Sequence, residues 1–239
     1  MIDPIKEAER LRKIVCKGKN RKYYRFRGGN FYGGVASGDC VGCILDCAYC
    51  WSFYPRKNPE KVGKFFSPKE VAERLIRIAR QKGYKNVRIS GNEPTLCKEH
   101  LIKVISQIPK DLTFILETNG ILIDEDFAKE LSKFENLFVR VSLKGANERM
   151  FSQITGAKPE FFYYQLRALE FLVKYKVPCR AAIMIDLYND KDLKEIGKKL
   201  SEIDPILAQD LELEFLIFFP FVEKNLKERG IKIKRILKE

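Results

Sequence analysis

No stretch of the 239-residue sequence approaches the roughly 20 apolar residues that a membrane-spanning helix requires. Met1 to Arg12 is too charged for a secretory signal peptide. There is no low-complexity tract, internal repeat or clear domain linker, and no bias toward disorder or collagen. Histidine occurs once, as His100, and is assigned no role. The seven cysteines are odd in number and nothing points to export, so a disulfide framework is not expected. What remains is a cytoplasmic protein without a membrane partner, built as one large domain or two small ones.

Charge is present in excess but unevenly. The formal net charge is +13, of which residues 1–30 carry +7 and residues 221–239 carry +4. The reading is a basic N-terminal segment (1–30), a nearly neutral core (31–220) and a basic C-terminal extension (221–239). Basic ends of this kind meet nucleic acid or another acidic surface, or belong to the Lys/Glu-rich surface of a heat-adapted chain.

Within the core, apolar strand-like runs alternate with helical patterns. Strands are expected at 31–37, 86–90, 112–117, 137–143, 179–185 and 211–218. Ser67-Pro68-Lys69-Glu70 reads as a capping box with proline at the first helical position, and Gly83 ends that helix. Further helices are expected at 101–108, from Asp124 to about Phe134, at 159–175 and at 190–203. This alternation predicts an α/β fold of βα units on a parallel sheet. Such sheets place ligand sites at the carboxyl ends of their strands.

Four cysteines fall between Cys40 and Cys50. Cys43, Cys47 and Cys50, spaced C-x3-C-x2-C, fit one tight loop carrying three soft thiolates, suited to Zn²⁺, Cu(I) or iron–sulfur. A structural zinc site needs two separated pairs, and the bacterial ferredoxin run C-x2-C-x2-C-x3-C-P is absent. Three thiolates on one loop hold three irons of a [4Fe–4S] cluster and leave the fourth open. Cys40 lies outside the pattern. A second cluster would have to gather the scattered Cys16, Cys40, Cys97 and Cys179.

This spacing resembles that of the radical S-adenosylmethionine (SAM) superfamily. Tyr49 matches its aromatic before the third cysteine, and Gly91-Asn92-Glu93-Pro94 matches its Gly-Gly-Glu turn with Asn for the second Gly. Asn tolerates positive φ better than most residues. The resemblance covers roughly residues 31–220 and implies a partial (β/α)6 barrel open on one side. It implies a [4Fe–4S] cluster held by Cys43, Cys47 and Cys50, and SAM bound by Tyr49, Gly91, Asn92, Glu93, Ser142 and Lys144. The implied chemistry is reductive cleavage of SAM to a 5′-deoxyadenosyl radical, with an electron donor such as ferredoxin or flavodoxin. Glu117-Thr118-Asn119-Gly120, Ser142-Leu143-Lys144 and Ile154-Thr155-Gly156 further resemble glycyl-radical-enzyme activases such as pyruvate formate-lyase activating enzyme, where Glu117 and Ser142 stand in place of Asp. Glu117 and Arg180 are additional strand-end candidates.

The expected activity is that of an oxidoreductase abstracting hydrogen from a macromolecular protein substrate. The alternative is RNA, for which Lys22-Tyr23-Tyr24-Arg25-Phe26-Arg27 supplies basic and aromatic residues. A non-catalytic iron–sulfur electron carrier is a third reading, opposed by the Gly-Asn-Glu turn, which an electron carrier does not need.

Overall fold

A computed structural model describes residues 1–235; residues 236–239, the end of the expected C-terminal extension, lie outside the described residues. The chain begins with helix α1 (Pro4–Val15), strand β1 (Cys16–Lys17) and the long strand β2 (Asn20–Gly29). β3 (Val35–Cys40) leads into the cysteine loop, followed by α2 (Phe53–Lys57), β4 (Lys64–Phe66) and α3 (Pro68–Lys82). The βα repeat continues through β5 (Asn86–Ser90), α4 (Lys98–Ile105), β6 (Thr113–Thr118), α5 (Glu125–Leu131) and β7 (Leu137–Ser142). Then come α6 (Glu148–Thr155), α7 (Phe162–Lys174), β8 (Cys179–Met184), α8 (Asp190–Ile203), α9 (Pro205–Gln209), β9 (Glu212–Glu214) and α10 (Pro220–Glu228).

One sheet runs β1-β2-β3-β5-β6-β7-β8-β9, with β4 paired to β2. The six strands β3, β5, β6, β7, β8 and β9 are mutually parallel, and β9 does not close onto β1, so the sheet is an open partial barrel. All six expected strands are present. The last shrinks to three residues because Phe215 to Phe219 carry no ladder partner. The first begins later than expected, because Phe31–Gly33 forms a 3₁₀ turn. The Ser67–Glu70 capping box, Pro68 at the helix start and a left-handed Gly83 cap frame α3 as the sequence predicts.

The sheet has two unlike faces. One carries Val87, Ile89, Phe114, Leu116, Val139, Val141, Ala181 and Ile183, all buried under helices that contribute Leu75, Leu101, Phe127, Leu169 and Ile196 to the same core. The other, inner face carries Ser37, Asp39, Arg88, Ser90, Glu117, Arg140 and Ser142, in matching register across neighbouring strands. The two-residue strand period sorts these sets.

Residues 1–30 do not form a separate arm. α1 buries Ala8, Leu11 and Val15, and β2 extends the sheet antiparallel to β3. Arg21 is buried with Tyr23, and Lys22 donates to the carbonyls of Pro59 and Glu60 at 2.9 Å each. The charge count treated these cations as surface, whereas backbone carbonyls take them into the core. The C-terminal segment likewise packs down, with Val222 and Leu226 of α10 buried. Cys16 and Cys97 form a disulfide with Cα atoms 6.1 Å apart, contrary to the expectation of free thiols; a separation of 81 residues gives no local pattern to read. The other five cysteines are free.

Candidate active site

The cysteine loop leaves the C-terminal end of β3 and is fastened from several sides. Backbone N–H groups of Asp46 and Ala48 donate to Thr155 and Ile154 carbonyls, both at 2.9 Å. Asp46 also pairs with Arg56, with Lys57 at 3.2 Å and with Arg229 at 2.9 Å. The Ile154-Thr155-Gly156 stretch thus anchors the loop through its backbone. Cys47 is buried and Cys43 and Cys50 are partly so. Burial pushes all three thiols up, Cys50 to about 11, and Cys43 is raised further by Glu93 and the two neighbouring thiols. Lys144 and Arg56 oppose that rise at Cys47.

Beside the loop lies the Gly91–Pro94 turn. Gly91 has φ +101°, and a Cβ there would sit 2.9 Å from the Cys40 backbone nitrogen, so only glycine fits. Asn92 does not use positive φ. Its side chain replaces that freedom with fastening: Oδ1 accepts from Gly42 N at 2.9 Å, and Nδ2 donates to the Ser52 and Gly91 carbonyls. Glu93 N donates to Gly42 O at 2.8 Å, tying turn to loop a second time. The Glu93 carboxylate is buried. Its Oε1 accepts from Thr95 N, Thr95 Oγ1 and Thr118 Oγ1, and its Oε2 accepts one bond, from Asn119 N at 2.9 Å.

Three contributors to this site were not read from the sequence. Arg21 of β2 donates to Pro94 O and Glu93 O, both at 2.7 Å, and to Val41 O at 3.3 Å. The fully buried Gln165 accepts from Lys144 N at 3.0 Å, and Tyr188 O–H accepts from Gly145 N at 2.9 Å. None sits in a local motif; Arg21 lies just before the aromatic-basic run Lys22–Arg27, which carries the alternative RNA reading.

On the inner face, Lys144 Nζ donates to Ser142 Oγ at 2.5 Å and lies 5.3 Å from the centre of the Tyr49 ring. Ser142 Oγ donates to Glu214 at 3.3 Å. Glu117 accepts from Arg88 at 2.7 Å and from Tyr32 and Ser90 at 2.6 Å. Burial acts to raise its carboxyl, but Arg88 and Arg140 outweigh that and hold it below the usual range. Arg180 is taken by Asp210 through two hydrogen bonds, so it is not drawn to the turn. Tyr49, Ser142 and Lys144 therefore share one patch; Gly91, Asn92 and Glu93 share a second with the cysteine loop. Cys40, free and fully buried, lies outside both.

Three soft thiolates on one loop fit an iron–sulfur cluster, which takes one thiolate per iron. The turn fits an amino-acid ligand. Glu93 Oε2 has acceptor capacity to spare, and the adjacent Asn119 Nδ2 is a buried donor with no partner among the described residues.

A family model described as "Radical SAM superfamily" matches residues 39–200. The chain is 30% identical over 200 residues to a probable GTP 3′,8-cyclase from Methanococcus vannielii, a match covering 82% of this chain and 62% of that one. It is 27% identical over 158 residues to an S-adenosylmethionine-dependent nucleotide dehydratase from Lacinutrix mariniflava, covering 63% of this chain and 32% of the relative. The chain thus spans less than two thirds of the length of these relatives. In fold it is similar to Streptococcus suis SuiB bound to precursor peptide SuiA, with a TM-score of 0.63 at 17% identity over 84% of this chain and 42% of SuiB. The matched region begins at Asp39, just before the cysteine loop, and ends in α8, so the loop, the fastened turn and the parallel strands β5 to β8 lie inside it: the chain belongs to the radical SAM superfamily, whose cofactors are a [4Fe–4S] cluster and S-adenosylmethionine.

Proposed function

We propose that this radical SAM enzyme acts on a nucleotide-containing substrate held over the polar inner face of the sheet. The observation that carries the reading is the double fastening of the cysteine loop to the Gly91–Glu93 turn, which brings cluster ligands and cofactor turn to one end of the parallel strands. In this reading Cys43, Cys47 and Cys50 ligate the cluster. Gly91 O and Glu93 take the SAM ammonium, Asn119 Nδ2 its carboxylate, and Tyr49 lies at the adenine. When bound, cluster and SAM supply reductive carbon–sulfur cleavage and a hydrogen-abstracting radical; a ferredoxin or flavodoxin supplies the electron. The apolar outer face excludes water from behind, while Ser142 and Lys144 offer polar contacts on the substrate side.

Nucleotides are favoured because the two curated relatives named above carry nucleotide-transforming names. The second reading is a protein substrate, as for a glycyl-radical activase. It draws on the likeness at residues 117–120 and 142–144, although Glu117 and Ser142 are already hydrogen-bonded within the inner face.

Anaerobic reconstitution is expected to load about four irons per chain, and dithionite with SAM to yield 5′-deoxyadenosine. Cys47→Ala should abolish both. A colourless protein with one zinc per chain would overturn the cluster. Deuterium should pass from a labelled nucleotide pool into 5′-deoxyadenosine; passage from labelled protein alone would replace the nucleotide reading by the protein one.

A further inference from the structure

Four arginines of this chain meet carboxylates in the usual two-pronged way. Arg10 binds Glu7, Arg80 binds Asp111, Arg140 binds Glu212 and Arg180 binds Asp210, each through two nitrogens. Arg25 and Arg27 of β2 differ. Both offer only Nε, and both to the same atom, Asp39 Oδ2, at 2.7 and 2.9 Å. Asp39 is fully buried, and its second oxygen has no partner among the described residues. The Nη groups of both arginines donate to no acceptor among the described residues, and their side chains are 45% and 26% exposed.

A guanidinium held at Nε is fixed in direction and leaves its outer prongs free. Both guanidinium carbons also lie over the Trp51 ring, 5.6 and 5.9 Å from its centre, which limits the two forks further. The place is specific. Arg25 and Arg27 stand opposite Asp39 and Ser37 in the sheet, on the inner face. The Asp39 backbone packs against Gly91, and Trp51 directly follows Cys50. The pair therefore stands beside both the Gly91 turn and the cysteine loop, at the edge of the inner face.

Two cations against one carboxylate leave a net positive charge with preset forks, which match phosphate oxygens better than a single carboxylate does. We propose that Arg25 and Arg27, held by Asp39 against Trp51, form a phosphate-recognition subsite for the substrate. The proposal deepens the nucleotide reading and rests on it. The phosphate belongs either to a free nucleotide or to an RNA strand.

Cluster-loaded protein is titrated by calorimetry with GTP, sodium tripolyphosphate, a short single-stranded RNA and guanosine. Emission from Trp51, the one tryptophan, is followed in parallel. GTP and tripolyphosphate, or RNA if the phosphate is polymeric, should bind at least tenfold more tightly than guanosine and shift that emission. The double variant Arg25→Gln/Arg27→Gln should weaken binding at least tenfold, and Arg25→Lys/Arg27→Lys should recover only part of it, since lysine lacks the fork. Arg80→Gln removes one exposed cation of α3 at its pair with Asp111 and should change nothing. Thermal melts establish that the variants are folded. Neither GTP nor RNA binding more tightly than guanosine, or phosphate binding untouched by the double Gln variant, overturns the subsite and leaves a nucleotide substrate standing. If no phosphate probe binds while wild-type protein still cleaves SAM, the subsite and the nucleotide reading fall together and the cofactor assignment stays.

Discussion

The Gly91–Glu93 turn and the Arg25–Trp51 rim flank the same cysteine loop, yet their polar groups are spent differently. At the turn nearly every donor and acceptor is engaged with neighbouring backbone: Asn92 with Gly42 and Ser52, Glu93 with Thr95, Thr118 and Asn119, and Arg21 beneath with three carbonyls. At the rim two guanidinium forks point outward, each held by one bond. An invariant ligand rewards a site prepared in advance, because little ordering is left to do on binding. A rim of partly exposed cations keeps its donors for whatever arrives.

The largest test of this contrast is Glu93→Gln. The amide must turn its NH2 toward either Thr95 and Thr118 or Asn119, so one set of donors loses its acceptor. The carboxylate charge proposed to face the SAM ammonium is lost as well, at about 3 kcal/mol, so SAM affinity is expected to fall roughly a hundredfold, by equilibrium dialysis, with iron content unchanged. Parallel loss of iron would make Glu93 a structural residue only. Next is Arg21→Met, which removes the guanidinium donors from the carbonyls of Val41, Glu93 and Pro94. It should lower unfolding stability in denaturant by about 3 kcal/mol, against under about 1 kcal/mol for Arg80→Met at the exposed Asp111 pair. Equal effects would erase the distinction between buried clamp and surface ion pair.

A pH measurement follows. His100 donates Nδ1–H to Lys19 O and accepts the Tyr23 hydroxyl proton at Nε2, and burial lowers its pKa to about 4. The unfolded chain takes up a proton near pH 6.5 that the folded one refuses. Stability is therefore complete above pH 6.5 and is lost as pH falls toward 4, by roughly 3 kcal/mol. As His100 is the one histidine, His100→Gln should flatten that limb; an unchanged slope would place the titration elsewhere. The smallest effect is a count: iron-free protein denatured without reductant should show five reactive thiols rather than seven, Cys16 and Cys97 being joined.

Much of the site was legible because its chemistry is local. Cys43, Cys47 and Cys50 lie within eight residues, Gly91 to Pro94 are consecutive, and the period of α3 and its capping box are written in adjacent residues. What was hidden depends on chain segments far apart. Arg21 reads as one cation in a basic run, and only its place in the sheet between β1 and β4 shows it turned inward beneath a turn 72 residues away. The pairing of β2 with β3, with its register shift between Tyr23 and Arg25, splits Lys22 to Arg27: Tyr23 and Phe26 go to the core, Arg25 and Arg27 to the Asp39 side. Arg180, a strand-end candidate by position, proved to be an ion-pair residue because Asp210 lies across from it. The disulfide was unreadable for the same reason, since cysteine scarcity indicates nothing about which thiols meet.

The anchoring of the cysteine loop by Ile154, Thr155 and Arg229 has a consequence in time. During synthesis residues 43–50 leave the ribosome long before their anchors do. The loop takes its final form only after α6 has emerged, and gains its last brace when residue 229 follows. Iron delivered earlier meets three thiols on an unshaped tether; iron delivered later meets a finished cradle. The braced loop is therefore a late product of synthesis, complete only once residue 229 has followed it out.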